Sequence, residues 1–323
     1  MDSITSSMTR EELAAVLADG RLYSPGRDSL YTVDELMAGY RSDGPMESLD
    51  ARLAAHVKSA GIPPKDDDEA IAQVVHDQGV DRAMRAYVAA SVAHGRHVAG
   101  VMGGSSTPRD APAYKLAAET AKALSEAGFL VATGGGLGIM EAGNLGAYFA
   151  GRPAEELHAA IEDLTRWPTY RGHEAQYLDA ARLITARQPA SAASLAVATW
   201  GFDEEPISQF ATHIAKLFQN SVREDGLLSI ADAGVAYFEG GFGTLREIFQ
   251  DLAQNSAVHP TRRMAMVFVD TAGYGQAGSP FHLSRARAAG AAVPFDDLIT
   301  LADSPGSVVA AVTAARRRAH PAA

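Results

Sequence analysis

Hydrophobic positions along this chain follow two different rhythms, and the change falls near residue 94. Before it, apolar residues recur at helical spacing between polar turns. Thr9-Arg10-Glu11-Glu12 and Thr32-Val33-Asp34-Glu35 both match the capping box, a hydroxyl followed three residues on by glutamate, so each predicts a helix start. Gly61-Ile62-Pro63-Pro64-Lys65 breaks the pattern, and Asp66-Asp67-Asp68-Glu69 predicts the acidic first turn of another helix. A further helical segment runs through Met84, Tyr87 and Val88. Residues 1–93 carry no catalytic spacing and read as a helical extension that packs on the main domain or on a second subunit.

From Val98 the rhythm becomes apolar run, glycine turn, helix. Val98 to Met102, Phe129 to Ala132, Ser194 to Thr199, Ala231 to Phe238 and Met264 to Val269 are short apolar runs of the kind that form buried parallel strands. Helical faces lie between them: Tyr114, Ala117, Ala121 and Leu124; then Ala142 to Ala147; then Leu245, Ile248, Phe249 and Leu252. Phe210 through Arg223 to Ile230 reads as one helical run, and Val308 to Arg317 as a closing helix. Two helical segments, Glu155 to Leu164 and Gln176 to Ala186, interrupt the alternation and predict a helical insertion over residues 151–190. The fold class is α/β: a Rossmann-like, doubly wound parallel sheet over residues 94–323, with the N-terminal helical extension.

Composition narrows the function classes. The chain has 323 residues, 47% hydrophobic and 21% charged, as suits a globular protein. Cysteine is absent, which excludes disulfides, thiolate nucleophiles and cysteine-based zinc sites. No apolar run approaches the ~20 residues needed to cross a bilayer, and the first residues show no signal-peptide pattern, so the expected compartment is the cytoplasm, with no membrane partner. The formal net charge of −11 argues against nucleic acid as a partner. Arg316-Arg317-Arg318, the one basic cluster, reads as a solvated helix end.

Glycine-rich turns follow three of the runs: Gly103-Gly104-Ser105-Ser106, Gly134-Gly135-Gly136-Leu137-Gly138 and Gly240-Gly241-Phe242-Gly243. In an open α/β sheet such turns gather at the carboxyl ends of the strands, where ligands bind. The third opens a helix, so its backbone N–H groups and the helix dipole suit an anion such as phosphate. None of the three has the G-x-G-x-x-G dinucleotide spacing, which disfavours NAD. Arg223 and Glu247 flank the third turn. They read either as an ordinary ion pair, or as an arginine that holds an anion beside a carboxylate that stabilises an oxocarbenium-like centre or activates water. His94 and His97 lack a third ligand, Asp66 to Asp68 lack the rest of a calcium loop, and no metal site is expected. Ser105 does not stand in a nucleophile elbow and suits phosphate or ribose binding.

These residues resemble the LOG-like (Lonely guy) nucleoside 5′-monophosphate phosphoribohydrolases, a family once labelled lysine decarboxylases. The Gly-Gly-x-Gly-Thr-x-x-Glu signature stands as Gly240 through Glu247, and Gly-Ser-Ser as Gly104-Ser105-Ser106. The second turn is similar to the branch written T-G-G-G-P-G-I-M-E-A, with Leu137 for proline, and Phe202-Asp203-Glu204-Glu205-Pro206 is similar to that branch's Phe-Glu-Gln-x-Pro loop. The resemblance covers about Val98 to Asn255, with the 151–190 insertion outside it. It implies hydrolysis of a nucleoside 5′-monophosphate to free base and ribose 5-phosphate, by a homodimer or higher homo-oligomer, without metal or organic cofactor. Arg223 and Glu247 would be the catalytic pair. Gly240, Gly241, Gly243 and Thr244 would take the phosphate, while Gly104, Ser105, Gly135, Gly136 and Met140 would line the nucleotide pocket. Glu239 stands where the family has proline, the strand before it is one residue longer than the family pattern, and Glu224 replaces a lysine. Those acidic departures leave a second expectation open: a non-catalytic module that binds a nucleotide or a phosphorylated cofactor. Lysine decarboxylation is rejected, since no site for pyridoxal phosphate is evident.

Overall fold

The structure, a computed structural model, describes residues 18, 20–201 and 205–319. The capping box at Thr9 lies outside the described residues. So do Phe202, Asp203 and Glu204 of the loop that ends at Pro206.

Seven parallel strands form one sheet: β1 (Val98–Met102), β2 (Leu130–Thr133), β3 (Ser194–Thr199), β4 (His213–Leu217), β5 (Gly234–Tyr237), β6 (Ala265–Val269) and β7 (Ile299–Ala302). Their order is β4-β3-β2-β1-β5-β6-β7, so the winding reverses between β1 and β5. This is a doubly wound α/β fold, and the reversal opens a crevice beyond the carboxyl ends of those two strands. β1 is buried along its whole length, as a central parallel strand covered on both faces must be. Side chains alternate between two cores: Met266 and Phe268 of β6 enter one, Val267 and Val269 the other.

The first core holds the N-terminal segment. Here α1 (Val33–Leu36), α2 (Leu49–Ala60) and α3 (Asp67–Ala93) contribute Leu36, Leu53, Val57, Val80 and Met84, packed with α8 (Asn220–Ile230). Thr32 caps α1 by accepting the Glu35 N–H at 3.2 Å, and Asp66 caps α3 by accepting that of Glu69 at 2.8 Å. The acidic turn at Asp66 and the segment through Met84 belong to this single α3. On the other core lie α4 (Pro112–Glu126), α5 (Ile139–Tyr148), α6 (Ala154–Thr165), α7 (Glu174–Arg187) and α12 (Pro305–Ala319). The stretch between β5 and β7 adds α9 (Phe242–Ala257), α10 (Thr271–Tyr274) and α11 (Pro280–Ala289).

Two strands differ from the sequence reading. Phe210, Ile214 and Leu217 have helical spacing, yet residues 213–217 form β4. Phe210 enters one core and Ile214 and Leu217 the other, so a shared helical face never forms. The exposed edge of β4 is closed by a single antiparallel bridge in which Tyr31 and Ile214 exchange backbone hydrogen bonds of 2.8 and 3.0 Å. At the opposite edge, β7 is four residues long and half-buried, too short to show a period.

The N-terminal segment is tied to the sheet by buried charge. The Asp50 carboxylate of α2 accepts from Trp200 Nε1 at 2.7 Å and from the Ile207 N–H at 3.1 Å, and pairs with Lys216 of β4. It is also tied to α7, where the Tyr40 hydroxyl donates to Asp179 at 3.0 Å.

Candidate functional site

All three glycine turns converge at the reversal point. Gly104 N–H donates to the Glu239 carbonyl at 3.0 Å, joining the first turn to the third. Ile139 N–H donates to the Gly104 carbonyl at 3.1 Å, joining the second turn to the first. Gly240 is required for this contact: a Cβ there would stand 2.2 Å from Thr244 Oγ1 and 2.7 Å from the Gly104 nitrogen. Gly241 is the N-cap of α9 and supplies no capping side chain, and Gly241 and Gly243 border open space. The first turn of α9 thus presents backbone N–H groups without a capping side chain toward solvent, in the geometry that receives anions. Phe242, in that turn, is 91% exposed.

Arg223 reaches the same place from α8. Its Nε donates to the Val197 carbonyl of β3 at 2.9 Å, and its Nη1 donates to Glu247 Oε1 at 2.8 Å. Arg223 is 9% exposed and Glu247 7%. The guanidinium lies on Gly134, where a Cβ would come within 1.9 Å of Nη2, and Met140 Sδ stands 3.9 Å from that nitrogen. The second glycine turn therefore makes room for the arginine. Burial pushes the Glu247 carboxyl above the ordinary glutamate range, and the Arg223 charge opposes that rise without cancelling it.

A second pair crosses the same two helices. Arg246 Nε stands 2.9 Å from Glu224 Oε2, and Asn220 donates to Glu224 Oε1 at 2.9 Å. Glu224, the residue that replaces a lysine in the resemblance, thus has an arginine of α9 beside it, although its Oε2 forms no hydrogen bond. The signal was present as two adjacent opposite-charge doublets, Arg223-Glu224 and Arg246-Glu247. One turn beyond Glu247, Asp251 is wholly buried; it accepts from the Tyr237 hydroxyl at 2.8 Å and from Asn255 at 3.0 Å. Burial pushes its carboxyl up to about 7, against the lowering effect of the Tyr237 hydrogen bond. No motif singled it out.

The cavities divide the remaining residues. One of about 1230 Å³ opens at the carboxyl end of β1 and β3, bordered by Ser105, Leu137, Trp200 and Glu205. Another of about 150 Å³ is bordered by Glu239, Gly240, Thr244 and Tyr274. Arg223 and Glu247 border neither. Gly136 and Met140 stand between the pair and the larger cavity, since a Cβ on Gly136 would meet Glu205 Oε2 at 2.7 Å and Met140 Cε at 3.0 Å. Gly135, at φ +74°, turns against Ala196 and Ala198 of β3 rather than toward a cavity. His94 and His97 do not meet: the His94 ring bonds the Ala90 carbonyl and the His97 ring bonds Asp232. Among the described residues no cluster of three metal-ligating side chains occurs, and no helix is long and apolar enough to cross a membrane.

Fold and site together define a Rossmann-like α/β protein carrying LOG-like motifs at its switch point. No family model matches the chain, and no curated protein matches it. Among solved structures it is similar to the molybdenum cofactor carrier protein MCP from Chlamydomonas reinhardtii, at 17% identity and a TM-score of 0.42, over 68% of this chain and 98% of that one. It is also similar to the structural-genomics target TM1055, at 16% identity and a TM-score of 0.39, over 68% of this chain and 99% of that one.

Proposed function

We propose that the protein hydrolyses the N-glycosidic bond of a nucleoside 5′-monophosphate, releasing free base and ribose 5-phosphate. The observation that carries this reading is the buried Arg223–Glu247 pair, 2.8 Å apart, held beside the N-terminus of α9 where three glycine turns meet. In this reading the 5′-phosphate sits on the N–H groups of Gly241, Gly243 and Thr244, with Gly240 allowing the close approach. Gly104, Ser105, Gly136 and Met140 then shape the nucleotide side of the crevice, with Gly135 turned against β3 behind them. Arg223 orients the nucleotide and holds Glu247 in place. The Glu247 carboxylate faces the sugar, stabilising positive charge at C1′ as the C–N bond lengthens, or positioning the water that attacks there. The water oxygen bonds to C1′, the base leaves with the C–N electron pair, and the proton released by the water ends on the base. These residues supply the step themselves, with no organic cofactor. The working form in this reading is a homodimer or higher homo-oligomer in the cytoplasm, with residues 1–93 as an extension and 151–190 as an insertion on the nucleotide-binding domain.

Chromatography of wild-type incubations with a panel of ribo- and deoxyribonucleoside monophosphates tests the reading. Free base accumulates from at least one nucleotide, and Glu247→Gln loses about 10²-fold or more of that release.

One observation favours a second reading, a module that binds a nucleotide or phosphorylated cofactor without turning it over. The larger cavity does not reach Arg223 or Glu247, and Glu239 places a carboxylate on the smaller cavity beside the phosphate turn. A nucleotide that raises the melting temperature yet remains intact after prolonged incubation identifies this alternative.

A further inference from the structure

The larger cavity has a construction of its own. Two of its walls come from segments outside the LOG-like resemblance: α2, and the stretch 168–178 that leads into α7; Ser105 to Pro108, Leu137 and the loop around Glu205 complete it. Ala51, Ala54, Ala55 and Lys58 of α2 border it, spaced i, i+3, i+4 and i+7, so one helix face of mostly small side chains turns to the cavity. Leu53 and Val57 of the same helix are buried in the core. Opposite stand Tyr170 and Tyr177, with Trp200 at the end of β3.

These walls are fixed rather than loosely apposed. Trp200 is held by Asp50 at 2.7 Å. Tyr177 is held by two contacts: its hydroxyl donates to Glu141 at 2.7 Å, and the buried Arg109 guanidinium lies 3.2 Å from its ring centroid. Arg109 in turn makes bonds of 2.6 and 2.8 Å to Glu141 in the first turn of α5. Protein interiors are close-packed, with few voids larger than a water molecule. This cleft of about 1230 Å³ is bordered by side chains held in buried ionic and aromatic ties, as preorganised ligand pockets are.

Its size and position indicate what it takes. Pockets for a drug-sized ligand run to roughly 300–1,000 Å³, so this cavity is larger than one nucleoside requires. It begins at Ser105, the neighbour of Gly104, and a Cβ on Gly104 would lie 3.3 Å from the Gly240 Cα. The phosphate turn and the cavity floor are thus adjacent. We propose that the cavity is a subsite for a second ring system, so that the ligand is a nucleotide of dinucleotide size whose phosphate lies at the Gly240 turn and whose distal ring enters between α2 and Tyr170. This rests on the nucleotide reading of the Gly240 turn and widens it, from a free 5′-monophosphate to a nucleotide whose 5′-phosphate is joined to a second nucleoside.

Calorimetric titration of the full chain with adenosine and guanosine 5′-monophosphates and with the matching dinucleoside diphosphates tests it. For at least one base the dinucleoside binds at least tenfold tighter than its monophosphate. Ala55→Trp, at an exposed position bordering the cavity, removes that advantage and leaves monophosphate affinity within about twofold. Ala51→Phe narrows the same face and gives the same result if Ala55→Trp folds poorly. Equal affinity for both ligand sizes, or an advantage that survives both folded variants, overturns the subsite and leaves the nucleotide reading standing. Loss of both ligands to the same extent in the variants overturns it too. Failure of every nucleotide to bind wild type overturns the nucleotide reading, and the subsite with it.

Discussion

At the level of single residues, the site is governed by carboxylates that the fold has moved away from their ordinary protonation behaviour. Glu247 is raised by burial while Arg223 holds its charged form. The role proposed for Glu247 needs the carboxylate, so base release declines as pH falls through a value above the ordinary glutamate value of about 4.3. A pH profile of kcat in wild type checks this; an acid limb at or below the unperturbed value contradicts it. Asp251 has a different consequence. Its folded value near 7 lies above the unfolded value of about 3.9, so between them the native chain holds a proton the unfolded chain has released. The resulting stabilisation is full below about pH 4 and lost as pH rises through 7. Denaturant titrations across pH 5–8 should show wild type losing stability with rising pH over this range and Asp251→Asn losing markedly less. Glu247 was legible because the Gly-Gly-x-Gly-Thr-x-x-Glu pattern carries it. Asp251 was not: its partner Tyr237 reaches it only once β5 and α9 are packed face to face.

Elements were legible where a local pattern decided them and obscure where a distant partner did. The central strands β1, β2, β3, β5 and β6 are apolar runs ended by turns, and the sequence alone marks them within a few residues. β4 hides behind Lys216, a charge at the fourth position of a five-residue strand. That charge is tolerated because Asp50 meets it from α2, more than a hundred residues earlier. Removing one member of such a buried pair leaves the other without compensation and costs about 3–5 kcal/mol. Lys216→Met accordingly lowers the unfolding free energy by that order, and adding Asp50→Asn recovers part of it. Equal loss in the single and double variants shows that the pair does not hold α2 to the sheet. The glycine turns make a sharper prediction at this scale. Gly134→Ala places a methyl group where Arg223 now lies, so it displaces the guanidinium and reduces base release nearly as far as Glu247→Gln, with a far smaller change in melting temperature than Lys216→Met.

For the whole molecule, the acidic balance and the glycine turns point the same way. A net charge of −11 disfavours a polyanion, and in the proposed reading a local set of backbone N–H groups at the head of α9 takes one small anion. The sheet reversal between β1 and β5 places that anion site, the Arg223–Glu247 pair and the larger cavity at one edge of the fold. The cavity itself was illegible, because α2 and the 168–178 stretch come to border the same space only in the folded chain. The central claim is that the pair acts on the sugar of a bound nucleotide. Its most direct test is product analysis after incubating wild type and Glu247→Gln with the nucleoside 5′-monophosphate panel. The account predicts stoichiometric free base and ribose 5-phosphate from wild type, and a rate lower by about 10²-fold or more from the variant. A nucleotide that binds both proteins and is recovered intact from wild type contradicts it.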